Sequence, residues 1–66
     1  MREFVTRKRM TTFLRTLKDE GGSCGNGRLR DRLGWSEDLY WNVRERLVDE
    51  ERIGVGRGRG GSVHMI

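Results

Sequence analysis

The run Leu33-Gly34-Trp35-Ser36 followed by Tyr40, Val43 and Leu47 constrains this chain more than any other stretch of it. Ser36 is placed to cap a helix, because a serine hydroxyl can accept from an amide in the first turn. Trp35 before the cap and Tyr40 after it have the spacing of a hydrophobic staple. On a wheel of about 100° per residue, Tyr40, Val43 and Leu47 lie within about 60° of one another and form the face that must be buried. Leu39 flanks that face on one side and Val48 lies further round on the other. The helix is expected to run to about Glu50 or Glu51, some 20 Å at about 1.5 Å per residue.

Two further helices precede it. Residues Met1 to Thr6 read as a short arm carrying Arg2, with Phe4 and Val5 free to tuck against the domain. Thr6 can cap a first helix, in which Met10, Phe13, Leu14 and Leu17 recur at i, i+3, i+4 and i+7. Gly21-Gly22 ends it. Arg7, Lys8, Arg9, Arg15 and Lys18 crowd its other side, either as a solvated face or as a phosphate contact. Asn26 is expected to cap a short second helix from Gly27 to Leu33, with Leu29 and Leu33 inward and Gly34 closing it in the left-handed region. Ser23-Cys24, between the first two helices, suits a very short extra strand.

After the third helix the pattern changes period. Ile53 and Val55 alternate with glycine, Val63 and Met65 alternate with His64, and Gly58 to Gly61 provide a turn. Two strands about a glycine turn make a hairpin. Its apolar side is expected to cover the helices, since a lone hairpin is marginal in water. The expectation is an α+β, mainly α domain spanning residues 1–66: three helices plus a C-terminal two-stranded hairpin, the order of a winged helix-turn-helix.

Composition limits the function. A chain of 66 residues makes one domain, without a deep cleft. Its net charge of +4 and pI near 10.2 point to an anionic partner such as nucleic acid. With Cys24 as the only cysteine, neither an intrachain disulfide nor a cysteine metal cluster can form, and Cys24 reads as a small buried apolar residue suited to a reducing cytoplasm. Apolar runs are too short for a membrane span or a signal peptide, so no membrane partner is expected. Gly56-Arg57-Gly58-Arg59-Gly60-Gly61 fits G-x-G-x-x-G in form, but it opens no helix and has no acid about 20 positions on, so no dinucleotide or other cofactor is expected. His64 is the only histidine and lacks a partner base in sequence, and the carboxylates sit on mixed-charge helical surfaces. The chain is read as non-catalytic, with no metal site.

Double-stranded DNA is the expected partner, with the third helix (about 37–50) at the major groove and the glycine-arginine wing (54–61) on the backbone or in the minor groove. The candidate contact residues are Arg28 and Arg30 on the second helix, Trp41, Asn42, Glu45 and Arg46 on the third, and Arg57 and Arg59 on the wing. Asn42 could make the paired contact to adenine, and Glu45 or Asp38 could accept from cytosine N4. Trp41 could pack on the sugar-phosphate edge or brace the neighbouring helix. Six acids against three arginines between Trp35 and Ile53 make the third helix a poor source of attraction, so the flanking arginines must supply it. Glu37 and Asp38 also suit the positive end of the helix dipole. A protein-docking role, or RNA binding through the arginine-glycine strip, remains open on these residues, as does the oligomeric state.

The succession Gly27-Arg-Leu-Arg-Asp-Arg-Leu-Gly-Trp35, then Tyr40-Trp41-x-Val43-Arg44-x-x-Leu47-Val48, then Gly56-Arg-Gly-Arg-Gly-Gly-Ser-Val63 resembles bacterial winged helix-turn-helix domains appended to DNA-modification and restriction-type enzymes. The resemblance implies duplex DNA binding through the third helix and the wing, and gives Asn42, Arg46, Arg57 and Arg59 a contact role. It also implies that a larger enzyme could carry such a domain. One position departs from the pattern: Glu51 stands where such sequences commonly have a glycine to end the third helix.

Overall fold

The computed structural model describes residues 5–56 and 61–66; the expectations placed on Arg2 and Phe4, and on Arg57 and Arg59, fall outside the described residues. The elements follow in the order α1 (Arg7–Asp19), β1 (Ser23–Gly25), α2 (Asn26–Leu33), α3 (Glu37–Asp49), β2 (Ile53–Gly56) and β3 (Ser62–Met65). The result is a mostly helical α+β arrangement with a three-stranded antiparallel sheet in the order β1-β3-β2. The sheet is therefore wider than a hairpin. β1 pairs with β3 over three positions, Cys24 opposite Val63, and so joins the N-terminal half of the chain to its end.

The helix starts follow local chemistry. Thr6 Oγ1 accepts from the Arg9 amide at 3.1 Å, and Ser36 Oγ accepts from the Leu39 amide at 3.2 Å. Each such cap contributes about 1 kcal/mol. Helix α2 differs from expectation. It begins one residue earlier, at Asn26, its N-cap is Gly25, and no side chain caps it. Asn26 is instead drawn inward, where its amide serves α3.

The core is one cluster. Phe13 and Leu17 from α1, Leu29 from α2, and Leu39, Tyr40, Val43 and Leu47 from α3 close over Cys24, Ile53 and Val63 of the sheet. Met10, Leu14, Leu33, Trp35 and Val48 pack around its edge. Phe13 is the aromatic centre, its ring 5.5 Å from that of Tyr40 and 6.3 Å from that of Trp35. Trp35 thereby anchors the turn before α3 to α1.

The hairpin covers the helices only in part. Ile53 and Val63 are buried, but Val55 is 48% and Met65 37% exposed, so only part of the apolar side expected to cover the helices does so. Val55 faces the buried Val63 across the ladder. On the other face the glycines make room: a Cβ at Gly54 would collide with the His64 imidazole, and one at Gly56 with the Ser62 hydroxyl.

Helices α1 and α3 end in the same way. After α1, the Gly22 amide donates to Leu17 O at 3.0 Å and the Gly21 amide to Lys18 O at 3.0 Å. After α3, the Arg52 amide donates to Leu47 O at 2.9 Å and the Glu51 amide to Val48 O at 3.0 Å. Both are Schellman motifs, whose pivot lies in the left-handed region. Gly21 takes that role in α1; in α3 it falls to Glu51, with φ 58° and a Cβ. The motif is preserved without its usual glycine, and α3 stops at Asp49 with Glu50 as its cap.

Glu51→Gly is expected to stabilise the domain by about 1 kcal/mol or somewhat less, since relief of the left-handed penalty exceeds the added freedom of the unfolded chain. Thermal unfolding checks this: Tm should rise by several degrees, at about 4–8 °C per kcal/mol for a domain of this size.

Candidate nucleic-acid interface

Helices α2 and α3 are joined by Gly34-Trp35-Ser36, with Gly34 at φ 69° so that the chain can reverse at once. This short turn places the N-terminal part of α2 beside the first turns of α3. Between them lies a shallow recess lined by Asn26, Gly27, Arg30, Glu37, Tyr40 and Trp41. Arg30 and Trp41, both sequence candidates, are thus brought together.

The recess is supported from below by a buried polar junction. Asn26 is the one buried polar residue among the described residues, and its Oδ1 accepts from the Tyr40 hydroxyl at 2.6 Å and from Arg44 Nε at 3.3 Å. The Asn26 backbone N–H donates to Gly61 O at 3.4 Å, and a Cβ on Gly61 would press on Asn26 Nδ2. Gly61, at φ 68°, follows the stretch containing Arg57 and Arg59 in sequence. One residue therefore connects α2 to α3 through its side chain and to the segment before β3 through its backbone. Burial pushes the Tyr40 hydroxyl up to about 12, although the neighbouring Arg44 acts in the opposite direction.

Arg44 extends the junction to the surface. Its guanidinium lies 4.7 Å from the centre of the Trp41 ring and also reaches Glu45 Oε1 at 3.3 Å. A cation over an exposed indole contributes about 0.5–1 kcal/mol. Tyr40 meets Trp41 edge to face, with centroids 5.5 Å apart. Trp41 is held from two sides but keeps 37% of its surface exposed, available to a partner. Arg44 was absent from the sequence candidates because its helical position borders the buried face. Its proximity to Asn26, 18 residues earlier, arises only on folding.

The remaining candidates are dispersed. Asn42 and Glu45 are exposed on the outer side of α3, next to Trp41 in helical projection. Arg46 is exposed on the opposite flank from Arg44 and pairs with Glu50 at 2.8 Å. Arg28 points away from Arg30, toward the end of α1. There it binds Glu20 Oε1, while Arg32 Nη1 holds Glu20 Oε2 at 2.7 Å. The Arg28 hydrogen bond, together with the charges of Arg28 and Arg32, outweighs burial and holds the Glu20 carboxyl below its ordinary range. Cys24 Sγ lies 3.8 Å from Glu20 Oε1, and burial pushes its thiol up, which leaves it mainly protonated and unreactive. Arg28 thus ties α2 to α1 in the unbound chain, although most of its side chain remains accessible.

No group of His, Cys, Asp and Glu able to hold a metal ion occurs among the described residues, and no helix of the described chain is long and apolar enough to cross a membrane. No protein-family model, curated protein or solved structure matches the chain. The reading of the interface therefore rests on its geometry.

Asn26→Ala is expected to cost about 1–3 kcal/mol, because it leaves the buried Tyr40 hydroxyl without its acceptor; chemical denaturation measures the loss. Tyr40 is the only tyrosine, so the absorbance change on tyrosinate formation reports it alone. Ionisation should occur near pH 12, against an ordinary value of 10.0. Since the folded state holds this proton more tightly than the unfolded state, its contribution to stability is complete below the unfolded value and lost as pH rises through the folded one.

Proposed function

We propose that this chain is a non-catalytic winged helix-turn-helix domain that binds double-stranded DNA, with α3 at the major groove and the β2–β3 turn on the backbone. The observation that carries the reading is the helix pair: α2, a three-residue turn with a left-handed glycine, and α3 with Trp41, Asn42 and Glu45 open to solvent beside Arg30. Such a pair presents its second helix to a groove, and α3, about 20 Å long, suits a groove about 12 Å wide. The element order and the β1-β3-β2 sheet are compatible with the winged form. Likeness to domains appended to DNA-modification and restriction-type enzymes belongs to the same proposal.

Within this reading the roles divide by charge. Arg44 pairs with Glu45 and Arg46 with the cap residue Glu50. The exposed Arg46–Glu50 pair is worth about 0–1 kcal/mol, so a phosphate can compete for Arg46, whereas Arg44 is mostly buried and held also by Asn26 and Trp41. Arg30, and Arg57 and Arg59 of the turn, are the proposed phosphate contacts; Asn42 and Glu45 are the proposed base readers. Arg28 is less available, since binding a phosphate would weaken its hold on Glu20.

Anisotropy titration of a labelled duplex at several salt concentrations tests the proposal. Affinity should fall linearly with log salt, and Arg30→Ala, Arg57→Ala and Arg59→Ala should each flatten the slope by about 0.9. Asn42→Ala should change the preferred sequence while leaving the slope intact. Binding that is absent, or indifferent to salt, would exclude the reading.

A further inference from the structure

A second groove lies on the flank of α3 away from the Arg30–Trp41 recess. It has a volume of ≈ 480 Å³, and its lining includes Arg7, Met10 and Leu14 of α1, Arg46 of α3, its cap residue Glu50, and Arg52 beyond it. Met10 and Leu14 are partly buried at the edge of the core and form an apolar floor. The rim holds three guanidinium groups against one carboxylate. That carboxylate is taken: Glu50 pairs with Arg46 at 2.8 Å. Arg7 and Arg52 make no ion pair among the described residues, and both are exposed. The groove therefore has a net positive rim over a thioether and an isobutyl group.

We infer that this α1–α3 groove docks an acidic, amphipathic peptide segment of a partner protein, with an apolar side chain on Met10 and Leu14 and carboxylates on Arg7 and Arg52. Charge complementarity selects the acid, because the planar guanidinium forms paired hydrogen bonds to a carboxylate. The apolar floor selects a peptide over a nucleic-acid backbone, whose phosphates and sugars would leave Met10 and Leu14 unused. Methionine adapts its shape to different side chains, which suits a docking floor. An amphipathic helix laid in a groove presents such a mixture on one side. The groove shares none of the residues that line the Arg30–Trp41 recess, and Arg46 alone is common to the groove and the DNA reading.

The test is a methyl and amide chemical-shift titration of the full chain with a synthetic helical peptide bearing glutamates and a leucine on one face. The same peptide with glutamine for glutamate serves as the control. Shifts should concentrate on the Met10 methyl, Leu14 and the Arg46 side chain while the Met65 methyl stays still, and the glutamine peptide should bind at least about tenfold more weakly. The double charge reversal Arg7→Glu, Arg52→Glu should cause a similar loss with the spectrum of the core unchanged. Equal binding of the two peptides, or no shift at Met10 and Leu14, would overturn the inference. So would the same Met10 and Leu14 shifts on adding duplex DNA, which would make the groove a phosphate site, or on concentrating the chain alone, which would assign it to a second copy. Duplex-induced shifts at Arg30 and Trp41 report on the DNA reading separately.

Discussion

The buried amide of Asn26 is the contact on which the arrangement of the other parts depends. It lies at the margin of an otherwise apolar core, where an unpaired polar group would cost about 1–3 kcal/mol. Its oxygen accepts from the Tyr40 hydroxyl and Arg44 of α3, and the backbone N–H of the same residue donates to Gly61 just before β3. A hydrophobic contact between these elements would tolerate sliding. Directional hydrogen bonds at 2.6 and 3.3 Å do not, and so they define how α2 and α3 sit together, while the backbone bond to Gly61 at 3.4 Å ties α2 to the segment before β3.

Around that junction several of the described charges form local groups. Glu20 gathers Arg28 and Arg32 where α1 meets α2, Arg44 lies over Trp41 beside Glu45, and Arg46 meets Glu50 next to Arg7 and Arg52. Each group does a different job. The first fastens two helices and compensates an acid at the C-terminal end of α1, where the helix dipole would disfavour it. The second orients an exposed indole. The third leaves cations in excess beside an apolar groove. A net charge of +4 alone distinguishes none of these.

The third strand alters how the hairpin is held. β3 is central, with β1 on one side and β2 on the other, so the C-terminal segment is bonded on both edges. This explains how four-residue strands rich in glycine persist although Val55 and Met65 stay exposed. Gly54 and Gly56 weaken β2 as a strand, yet they accommodate His64 and Ser62 from the neighbouring strand.

Local signals were enough to determine the helices. The caps at Thr6 and Ser36, the left-handed Gly34 and the buried face Tyr40, Val43 and Leu47 all follow from contacts within a few residues, and all are present in the structure. The departure at Glu51 was visible as a missing glycine, and α3 still ends in the same motif because two backbone hydrogen bonds outweigh the strain of one residue. Asn26 shows where such reasoning stops. Its position before a helix has the local chemistry of a cap, but Tyr40 and Arg44, 14 and 18 residues later, provide a buried alternative that only the packed chain offers. The same holds for the arginines. Sequence supplies their number, whereas folding decided which became fasteners, which orients Trp41 and which line a groove, because a charged side chain takes its role from the acids and rings that tertiary packing brings within reach.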